Sequence, residues 1–414
     1  MIDSTNTILI TLFIIIQITI FISWIYFLIY TIKSLREVPK LSIFTSYRNI
    51  VFPKVSIILP ARNEERYIEK CLASLLKQDY SNYEIIAIND SSSDRTGEII
   101  QKYSTINSKI IFINAESKPE GWTGKNWACY QGYIKSSGQL FLFTDADTTH
   151  SSSTISLAVN HLLVKQLDAL TAIPKILAND FWTKITLPIL WTLSVSRYSA
   201  LKANDPKSNV GYFFGSFFII TKNAYEAVGT HRAVKEEIVE DGALGRKVKE
   251  QYFKLRVVHG EDYIHAVWAR NSSTLWHGLR RLMIPLYKRE KIKAFMMVVA
   301  TFFLLIYSSI VLPFFITFAL DDDDEKDVSV TISNYSLYLV LLFLTVMSIL
   351  LLIITSVLQL KYTVFQNSLY SLSFPLAGSF IFTAFLSSII NSGKQDVIKW
   401  RGRSYSIYGI KYKK

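Results

Sequence analysis

Long apolar runs near both ends of the chain limit what it can fold into more than any other feature. Residues 8–30 are nearly all apolar, and further apolar runs cover about 295–320, 337–358 and 364–390. A helix of about 20 apolar residues crosses the hydrocarbon core of a bilayer, so each run is a predicted transmembrane segment. The part of the 414-residue chain between them is mixed in polarity. We therefore expect a membrane protein with a soluble domain in its middle.

The basic residues around the first apolar run predict its orientation. Residues 1–7 contain no lysine or arginine, whereas the predicted juxtamembrane linker, residues 31–50, carries four basic residues from Lys33 to Arg48. The positive-inside rule then places the N-terminus outside and the following domain in the cytoplasm. A cleaved signal peptide would need a basic start and a small-residue cleavage site. Neither is present, so we expect an uncleaved anchor.

The composition also bears on partners and compartment. A net charge of +12 suits a chain that lies against an anionic membrane surface. The sequence has no helix-turn-helix, zinc or aromatic RNA-binding motif, so we do not expect a nucleic acid partner. The two cysteines, Cys71 and Cys129, cannot build a disulfide framework or a cysteine zinc site, and they suit a reducing compartment.

The soluble middle, residues 51–290, alternates short apolar strands with helical segments. Asn63 is a predicted N-cap for the first of these helices, and a later helix is predicted over 125–136. The predicted strands before residue 150 are 55–60, 84–90, 109–114 and 140–143. This alternation implies right-handed crossovers and an α/β fold with a mostly parallel, Rossmann-like sheet.

Two of these strands end on carboxylates. Asp90 follows the second strand, and Asp145 and Asp147 follow the fourth. The carboxyl ends of parallel strands form one edge, where ligands bind in open α/β sheets. Two hard oxygen ligands one residue apart suit a divalent cation that holds a diphosphate. An acidic turn after a strand is the simpler alternative, and a lone Asp-x-Asp does not decide between the two.

The phosphate-binding loops of two large enzyme classes are missing from the sequence. No Gly-x-Gly-x-x-Gly follows the first strand, and no Gly-x-x-x-x-Gly-Lys-Ser/Thr occurs. A dinucleotide enzyme or a P-loop enzyme is therefore not expected. Carboxylates border the expected nucleotide site instead. A bound metal would then carry the phosphates, and Asp90 would accept hydrogen bonds from the base or the ribose.

Four motifs follow one another in the soluble middle. They are Pro-Ala-Arg-Asn-Glu (60–64), Asn-Asp-Ser-Ser-Ser-Asp-Arg-Thr (89–96), Gly-Trp-Thr-Gly-Lys-Asn (121–126) and Thr-Asp-Ala-Asp (144–147). Together they resemble family 2 glycosyltransferases with a GT-A fold, over roughly residues 50–290. The Gly-Trp-Thr-Gly-Lys stretch resembles the membrane-anchored branch associated with hopanoid and carotenoid lipids. Four motifs in the right order are far more specific than any one of them.

The resemblance implies a role for most of the predicted site. Asp145 and Asp147 would hold Mg²⁺ or Mn²⁺ together with the sugar diphosphate, and Asp90 would contact the nucleoside. Lys125 would lie near the diphosphate, although a solvated lysine at a helix start explains it equally well. The other implied donor-binding residues belong to the first motif and are Pro60, Arg62 and Glu64.

A further acidic pair, Glu240 and Asp241, lies at a predicted helix start. The resemblance implies that Asp241 is the catalytic base of an inverting transfer. Such a transfer is an in-line displacement in which the acceptor hydroxyl must lose its proton to a positioned group. A metal would stabilise the leaving nucleotide diphosphate. The simpler alternative is an acidic first helical turn, and Glu240 is either a dipole partner or a base-orienting group.

Three further segments lie between the Asp-x-Asp motif and the end of the soluble middle. Residues 211–220 are a predicted strand whose small residues let a ligand approach. Residues 181–201 predict either a helix on the membrane surface or a buried core helix. Trp276, His277 and Arg280 either line the acceptor entrance or belong to an amphipathic surface helix. The Gln-x-x-Arg-Trp signature of related synthases is not matched here, which argues against a processive polysaccharide synthase.

The predicted C-terminal membrane domain, residues 293–392, holds the last three apolar runs. The acidic stretch 321–325 between two of them is expected to be a solvated loop outside. A full span over 364–390 would put the basic tail, residues 393–414, outside as well, but positive-inside reasoning favours the cytoplasmic side. A re-entrant hairpin bent at 375–378 reconciles the two, because such backbone is tolerated where protein buries it.

These features predict a multi-pass protein of the cell membrane with a cytoplasmic catalytic domain. The expected activity is the transfer of a sugar from a nucleotide-sugar to a hydroxyl of a membrane lipid, with Mg²⁺ or Mn²⁺ bound. Catalytic domains flanked by membrane segments make sense where the acceptor is in the membrane. Two alternatives stay open, a polysaccharide synthase and a non-enzymatic membrane scaffold that binds nucleotide-sugars.

Overall fold

The computed structural model describes residues 4–42, 52–195, 198–320, 328–391, 397–400 and 403–406. The chain divides into two compact units. The helical unit comprises Met1–Leu35, Ala178–Leu193 and Ala269–Gly393. The α/β unit comprises Arg36–Leu177, Ser194–Trp268 and Lys394–Lys414.

The regular elements are numbered in chain order. The strands are β1 (Val55–Ala61), β2 (Tyr83–Asn89), β3 (Ile110–Asn114), β4 (Leu140–Phe143), β5 (Thr148–His150), β6 (Ala169–Ile173), β7 (Lys175–Ile176), β8 (Phe218–Thr221), β9 (Leu255–His259), β10 (Ile264–Ala266), β11 (Val397–Trp400) and β12 (Arg403–Ser406). The helices are α1 (Ser4–Glu37), α2 (Ile68–Leu76), α3 (Thr96–Ile106), α4 (Gly124–Lys135), α5 (Thr154–Val164), α6 (Phe181–Ser194), α7 (Ala200–Asn204), α8 (Lys222–Ala227), α9 (Glu240–Glu250), α10 (Ser272–Arg289), α11 (Lys291–Phe302), α12 (Ser308–Leu320), α13 (Val328–Gln359) and α14 (Phe374–Ile390). Short turns of 3₁₀-helix cover His231–Val234 and Ser368–Ser373, and π-helical turns cover Phe303–Tyr307 and Leu360–Val364.

A seven-stranded sheet forms the centre of the α/β unit, in the order β3-β2-β1-β4-β8-β6-β9. The first four strands are parallel, β8 is antiparallel to both its neighbours, and β6 is parallel to β9. The prediction of a mostly parallel α/β sheet is confirmed. Because β1, β2 and β4 are buried almost throughout, their sequences are apolar nearly without interruption.

Helix α4 lies close against this sheet because residue 132 is glycine. A Cβ at Gly132 would lie 2.8 Å from side-chain atoms of both Ile58 in β1 and Ile88 in β2. Helix α4 follows β3 and leads into the parallel strand β4, so its N-terminal end lies at the carboxyl edge of the sheet. The close packing therefore fixes Lys125, in the first turn of α4, at that edge.

Two predicted local features are wrong. The predicted strand over 211–220 is only Phe218–Thr221, because the chain turns sharply before it, where Phe217 N donates to Phe214 O at 3.0 Å. Asn63 is not a helix cap. Its φ is +54°, a conformation that asparagine tolerates, and its side chain accepts from Ser93 N at 2.9 Å. The loop after β1 is thereby tied to the loop after β2.

The helical unit contains four helices that are long and apolar enough to cross a membrane, within the residues that the structure describes. They are Ile10–Glu37, Lys291–Thr317, Ser336–Val364 and Ser368–Ile390. They coincide with the four apolar runs of the sequence. By length and composition, membrane helices at both ends of the chain are therefore confirmed.

Two polar contacts show that α1 and α13 run in the same direction. Gln17 Nε2 donates to Thr345 Oγ1 at 3.0 Å, and Gln359 Nε2 donates to Thr31 Oγ1 at 3.4 Å. Thr31 follows Gln17 in α1 by as many positions as Gln359 follows Thr345 in α13. This is possible only if the two helices run parallel in constant register. Buried amide–hydroxyl contacts of this kind hold helices together in an apolar environment.

The last apolar run differs from the predicted re-entrant hairpin. Pro375 lies in the first turn of α14, where the missing N–H of proline has no helical partner to lose. The helix then continues through Gly378 to Ile390, so the chain is not bent at 375–378. The side of the membrane on which the tail lies stays a prediction.

The two segments predicted for the membrane surface are helical. Helix α6 ends at Ser194 and a separate short helix, α7, follows, so 181–201 is not one continuous helix. Helix α10 buries Leu275, Leu279 and Met283 along one face, as an amphipathic helix does. Their location at a membrane surface stays a prediction.

A buried carboxylate at the start of β2 makes the stability of the α/β unit depend on pH. Burial alone would raise the pKa of Glu84, but hydrogen bonds from Lys54, Ser56 and Ser137 outweigh it and lower the pKa to about 2. The carboxylate lies 2.8 Å from Lys54 Nζ and 2.6 Å from Ser56 Oγ. Since the folded-state pKa is depressed, the charged form stabilises the fold above the ordinary pKa of 4.5.

We expect Glu84→Gln to lower the free energy of unfolding by about 2–3 kcal/mol at pH 7. The difference from wild type should shrink as the pH falls from about 4.5 towards 2, because the wild-type carboxylate is then protonated too. Thermal unfolding of both proteins at several pH values measures this. Glu98→Gln, at an exposed carboxylate, is the control. A difference that stays constant with pH would contradict the prediction.

Candidate active site

A small cleft opens at the carboxyl edge of the sheet, beside the ends of β1, β2 and β4. Its lining residues are Pro60, Ala61, Arg62, Glu64, Asp90, Lys125, Asp145 and Ala146. Six of these eight are residues that the sequence predicts for donor binding. The structure therefore brings six of the seven predicted donor-binding residues to one cleft, and Asp147 is not among its lining residues.

Hydrogen bonds between two loops shape one end of the cleft. Arg62 Nη1 donates to the backbone oxygens of Asp90 at 2.5 Å and Ser91 at 2.7 Å. Glu64 N donates to Thr96 Oγ1 at 2.7 Å. These contacts join the loop after β1 to the loop after β2. As a result, the buried Asp90 is held at the cleft by its backbone.

Lys125 lies between two carboxylates. Its Nζ is 2.7 Å from Asp145 Oδ1 and 2.6 Å from Glu240 Oε1. Burial would lower the pKa of Lys125, but the negative charges of Asp145, Glu240 and Asp241 raise it well above its ordinary value. The lysine is therefore charged at neutral pH, and a merely solvated lysine at a helix start does not describe it.

Asp241 is held by two backbone N–H groups. Gly215 N donates to Oδ2 at 2.9 Å, and Gly242 N donates to Oδ1 at 2.7 Å. Burial and the charge of Glu240 raise the pKa of Asp241, while Lys125 and the Gly242 hydrogen bond oppose the change, and the result is about 6. A carboxylate with a pKa this close to neutral pH suits general base catalysis.

Asp145 and Asp147 suit a divalent cation in number and chemistry. They follow β4 one residue apart, and the Asp145 side chain is one-third exposed, at 34%. A cationic group, Lys125 Nζ, already contacts Asp145. In the described parts of the chain, no group of three or more His, Cys, Asp or Glu side chains could hold a metal. Two carboxylates fit Mg²⁺ or Mn²⁺ when substrate phosphates and water complete the coordination.

Gly215 is a site residue that the sequence did not single out. A Cβ at this position would lie 3.0 Å from Asp241 Oδ2 and 3.1 Å from both Asp145 Oδ2 and Lys125 Nζ. The glycine therefore lies among the three charged groups of the site. Its signal in the sequence is the small residues Gly211, Gly215 and Ser216, which lie within the predicted strand over 211–220.

We expect Gly215→Ala to lower turnover by about 10- to 100-fold, because the added methyl forces the surrounding charged groups to move by a few tenths of an ångström. The fold should tolerate the methyl, since the neighbouring atoms are ends of side chains. Steady-state rates of nucleotide release, with thermal unfolding measured alongside, test this. A variant with wild-type turnover would show that the close contacts do not matter for chemistry.

The three residues predicted for the acceptor lie in the other unit. Trp276, His277 and Arg280 belong to α10 of the helical unit. The Trp276 ring lies 5.6 Å from the ring of Phe380 in α14, and His277 is exposed. Glu240, by contrast, lies in the α/β unit beside Lys125. The acceptor role of α10 stays a prediction.

Comparisons with known proteins agree with the fold and with the motifs. Residues 56–229 match the model of the family described as Glycosyl transferase family 2. The 4,4'-diaponeurosporenoate glycosyltransferase of Staphylococcus aureus strain bovine RF122 / ET3-1 is 27% identical over 220 residues, 52% of this chain and 56% of that protein. The protein of the same name in strain N315 is 26% identical over 225 residues, 53% of this chain and 58% of that protein. The chain thus spans little more than half the length of these relatives.

A solved structure shares the fold over most of the chain. The mannosyltransferase PcManGT from Pyrobaculum calidifontis, solved in complex with GDP-Man and Mn²⁺, has a TM-score of 0.54 and 16% sequence identity. The match covers 92% of this chain and 99% of that chain. The GT-A-like fold is confirmed, and so is the resemblance drawn from the four motifs.

Proposed function

We propose that the chain, whose residues 56–229 match glycosyl transferase family 2, is a glycosyltransferase that moves a sugar, with inversion, from a nucleotide-sugar to a hydroxyl of a membrane lipid. The observation that carries this proposal is the setting of Asp241. Two backbone N–H groups hold its half-buried carboxylate next to Lys125 and Asp145 of the cleft. Its position and its pKa near 6 suit a base that removes a hydroxyl proton.

The cleft is proposed to bind the donor. Asp90, Pro60, Arg62 and Glu64 surround the nucleoside, at the end where the first two loops are joined. Lys125 supplies a fixed positive charge for the diphosphate, and its largely buried ammonium is held by the neighbouring carboxylates Asp145 and Glu240. The solved structure with the same fold was in complex with GDP-Man, which supports a nucleotide-sugar as the donor class.

Asp145 and Asp147 would hold Mg²⁺ or Mn²⁺. When bound, the cation supplies positive charge to the departing diphosphate. The PcManGT complex contains Mn²⁺, which supports this assignment. Residues of the chain perform the remaining steps. The cleft orients the donor, and Asp241 takes the acceptor proton at a carboxylate oxygen. Glu240 holds the Lys125 ammonium beside Asp145.

The acceptor is proposed to reach the site from the bilayer. In the described part of the chain, four helices are long and apolar enough to cross a membrane. Helices α1 and α13 run parallel, and one of the four lies between them in sequence. A chain that crosses alternately has this arrangement. Because four basic residues in 31–50 follow the apolar run 8–30, we place the α/β unit in the cytoplasm of a multi-pass protein.

The name of the curated relatives favours a second acceptor class. They are called 4,4'-diaponeurosporenoate glycosyltransferases, and that name denotes a carboxylate. A carboxylate is already ionised at neutral pH, so it would attack without help from a base. Under that alternative Asp241 would orient the acceptor, and its replacement by asparagine would cost little.

The proposal is tested with purified full-length protein in native lipid extract and a set of radiolabelled nucleotide-sugars. Each donor is offered with Mn²⁺, with Mg²⁺ and with EDTA, and Asp241→Asn is assayed beside the wild type. Label that enters the organic phase only with metal supports lipid glycosylation. Label in an aqueous polymer would favour a polysaccharide synthase. Binding of a donor without transfer to any fraction would favour a non-enzymatic scaffold.

A further inference from the structure

We propose that Asn126 is a positioning residue that fastens the turn before α9 to the start of α4, and so holds Asp241 in register with Lys125 and Asp145. This inference rests on the proposed function, in which Asp241 is the base. Asn126 ends the Gly-Trp-Thr-Gly-Lys-Asn stretch, and no role of its own is assigned to it from the sequence. It is completely buried.

The side-chain amide of Asn126 meets three backbone carbonyls of one turn. Its Nδ2 lies 2.7 Å from Val234 O, 3.1 Å from Lys235 O and 3.0 Å from Glu237 O. An amide nitrogen carries two hydrogens, so at least one of them is shared between two acceptors. One side chain thus holds three peptide units that lie more than 100 positions away in the sequence.

The orientation of the amide follows from its surroundings. The Oδ1 atom of Asn126 is buried and has no hydrogen-bond partner among the described residues. Exchanging the two amide atoms would point that oxygen at three carbonyl oxygens and leave the nitrogen without an acceptor. The observed orientation is therefore the only one that the site permits, and the side chain acts purely as a donor to the turn.

Two neighbours of Asn126 join the same two segments. Thr123 N donates to Lys235 O at 2.8 Å, and the Lys125 ammonium contacts Glu240, the first residue of α9. The first turn of α4 therefore makes a charged contact, from Lys125 to Glu240, which precedes Asp241. Beside it, Asn126 makes neutral hydrogen bonds to the turn before α9. The neutral contact does not change when the charges of the site change as donor binds.

A base needs this kind of support. A displacement of about 1 Å at a reacting group can cost about 100-fold in rate. Asp241 is attached to a turn, 235–239, that is half-exposed and contains no regular element. Without Asn126 the carbonyls of that turn would have to find other donors. Of the contacts described here between the start of α4 and this part of the chain, the Thr123–Lys235 hydrogen bond and the Lys125–Glu240 contact would remain, and a bound diphosphate competes for the second.

The test compares Asn126→Ala, Asn126→Ser and Gln131→Ala in the full-length protein. Gln131 is a matched control because it is a buried amide on the same helix, with its Oε1 accepting from Glu116 N. The hydrolysis of a nucleotide-sugar in the presence of Mn²⁺, in which water replaces the acceptor, is followed by nucleotide release and gives kcat and KM. Isothermal titration gives the donor Kd. Hydrogen exchange of the peptide that covers 234–240 gives a readout independent of activity.

We expect Asn126→Ala to lower kcat by about 30- to 100-fold, with donor KM and Kd within about twofold of wild type. Asn126→Ser keeps one donor and should lose less. Exchange at 234–240 should accelerate in Asn126→Ala and not in Gln131→Ala. Equal kcat in Asn126→Ala and Gln131→Ala would overturn the proposal, and so would a loss of donor binding in proportion to kcat.

The two proposals fail in different ways. If wild-type protein binds donors but turns over none, the proposed glycosyl transfer is wrong, and with it the role of Asp241 as the base. Unchanged hydrogen exchange at 234–240 in Asn126→Ala would show in addition that Asn126 does not fasten the turn before α9. If transfer occurs, and Asn126→Ala changes neither kcat nor hydrogen exchange at 234–240, only the positioning role of Asn126 is wrong.

Discussion

Replacing Asp241 by asparagine is expected to lower sugar transfer to a hydroxyl acceptor by about 1000-fold, because a general base contributes roughly 10²- to 10⁴-fold. Donor binding should be largely kept, since the proposed donor contacts are with Lys125, Asp145 and the loops after β1 and β2. Asparagine matches aspartate in shape but cannot take the proton. Rates of label transfer to lipid, with donor Kd measured on the same preparation, check both parts.

The hydrogen bonds around Asp241 make the comparison sensitive to geometry. Gly215 N and Gly242 N each donate to a different carboxylate oxygen, and asparagine offers only one acceptor oxygen. Part of any loss would therefore be local rearrangement. Glu240→Gln is a useful companion, because it weakens the contact with Lys125 without touching these two donors. A base role requires the Asp241→Asn loss to exceed the Glu240→Gln loss by at least tenfold.

The pH dependence gives an independent check on the same group. With a pKa of about 6, Asp241 is mostly protonated below pH 5 and mostly ionised above pH 7. Only the ionised form accepts a proton, so kcat/KM should rise through pH 6 and then level off. Asp241→Asn should flatten this rise. A wild-type profile that is already flat from pH 5 to 7 would favour an acceptor that arrives ionised, such as a carboxylate.

The parts of the site that the sequence predicts are those that follow directly from a strand end. Asp90 and Asp145 come immediately after apolar strands, and parallel strands place their carboxyl ends together whatever the loops do. Lys125 could be placed near them because a helix that leads into a parallel strand begins at the same edge. Its charge state, however, depends on Glu240, which lies more than 100 residues further along the chain.

The parts that the sequence did not predict depend on contacts between distant loops. Gly215 lies in a sharp turn before β8, and its importance appears only when Asp145 and Asp241 are seen on either side of it. Asparagine favours the N-cap position of a helix, but the side chain of Asn63 instead accepts a hydrogen bond from Ser93 N, and its backbone adopts a left-handed conformation. Local preference was overridden in both cases by tertiary hydrogen bonds that join the loops around the cleft.

The charges of the site favour the binding of a cation in addition to Lys125. Three carboxylates, Asp145, Glu240 and Asp241, surround a single ammonium group, and a nucleotide-sugar adds further negative charge. A buried excess of like charge is costly unless it is neutralised. Asp145 and Asp147 offer the ligands for that neutralisation at the edge of the cleft. Donor binding should therefore depend on a divalent cation and on both of these aspartates.

Asp147→Ala is expected to weaken Mn²⁺-dependent donor binding by about 100-fold or more, a cost of about 3 kcal/mol. Asp145 alone would remain as a metal ligand, and its Oδ1 lies 2.7 Å from the Lys125 ammonium, which competes for the same carboxylate. The α/β fold should be unaffected, because Asp147 lies beyond the end of β4 and is only half-buried.

Isothermal titration of a nucleotide-sugar into each protein, with Mn²⁺ and with EDTA, measures the effect. Asp262→Ala is the control, because Asp262 is an exposed carboxylate of the same unit. It precedes β10, and β10 pairs with β5, the strand just after the Asp-x-Asp motif. Wild type and Asp262→Ala should bind far more tightly with Mn²⁺ than with EDTA. Asp147→Ala should bind equally weakly in both conditions. If Mn²⁺ tightens binding to Asp147→Ala as much as to wild type, the cation is not held by this pair of aspartates, and Lys125 alone must balance the charge of the diphosphate.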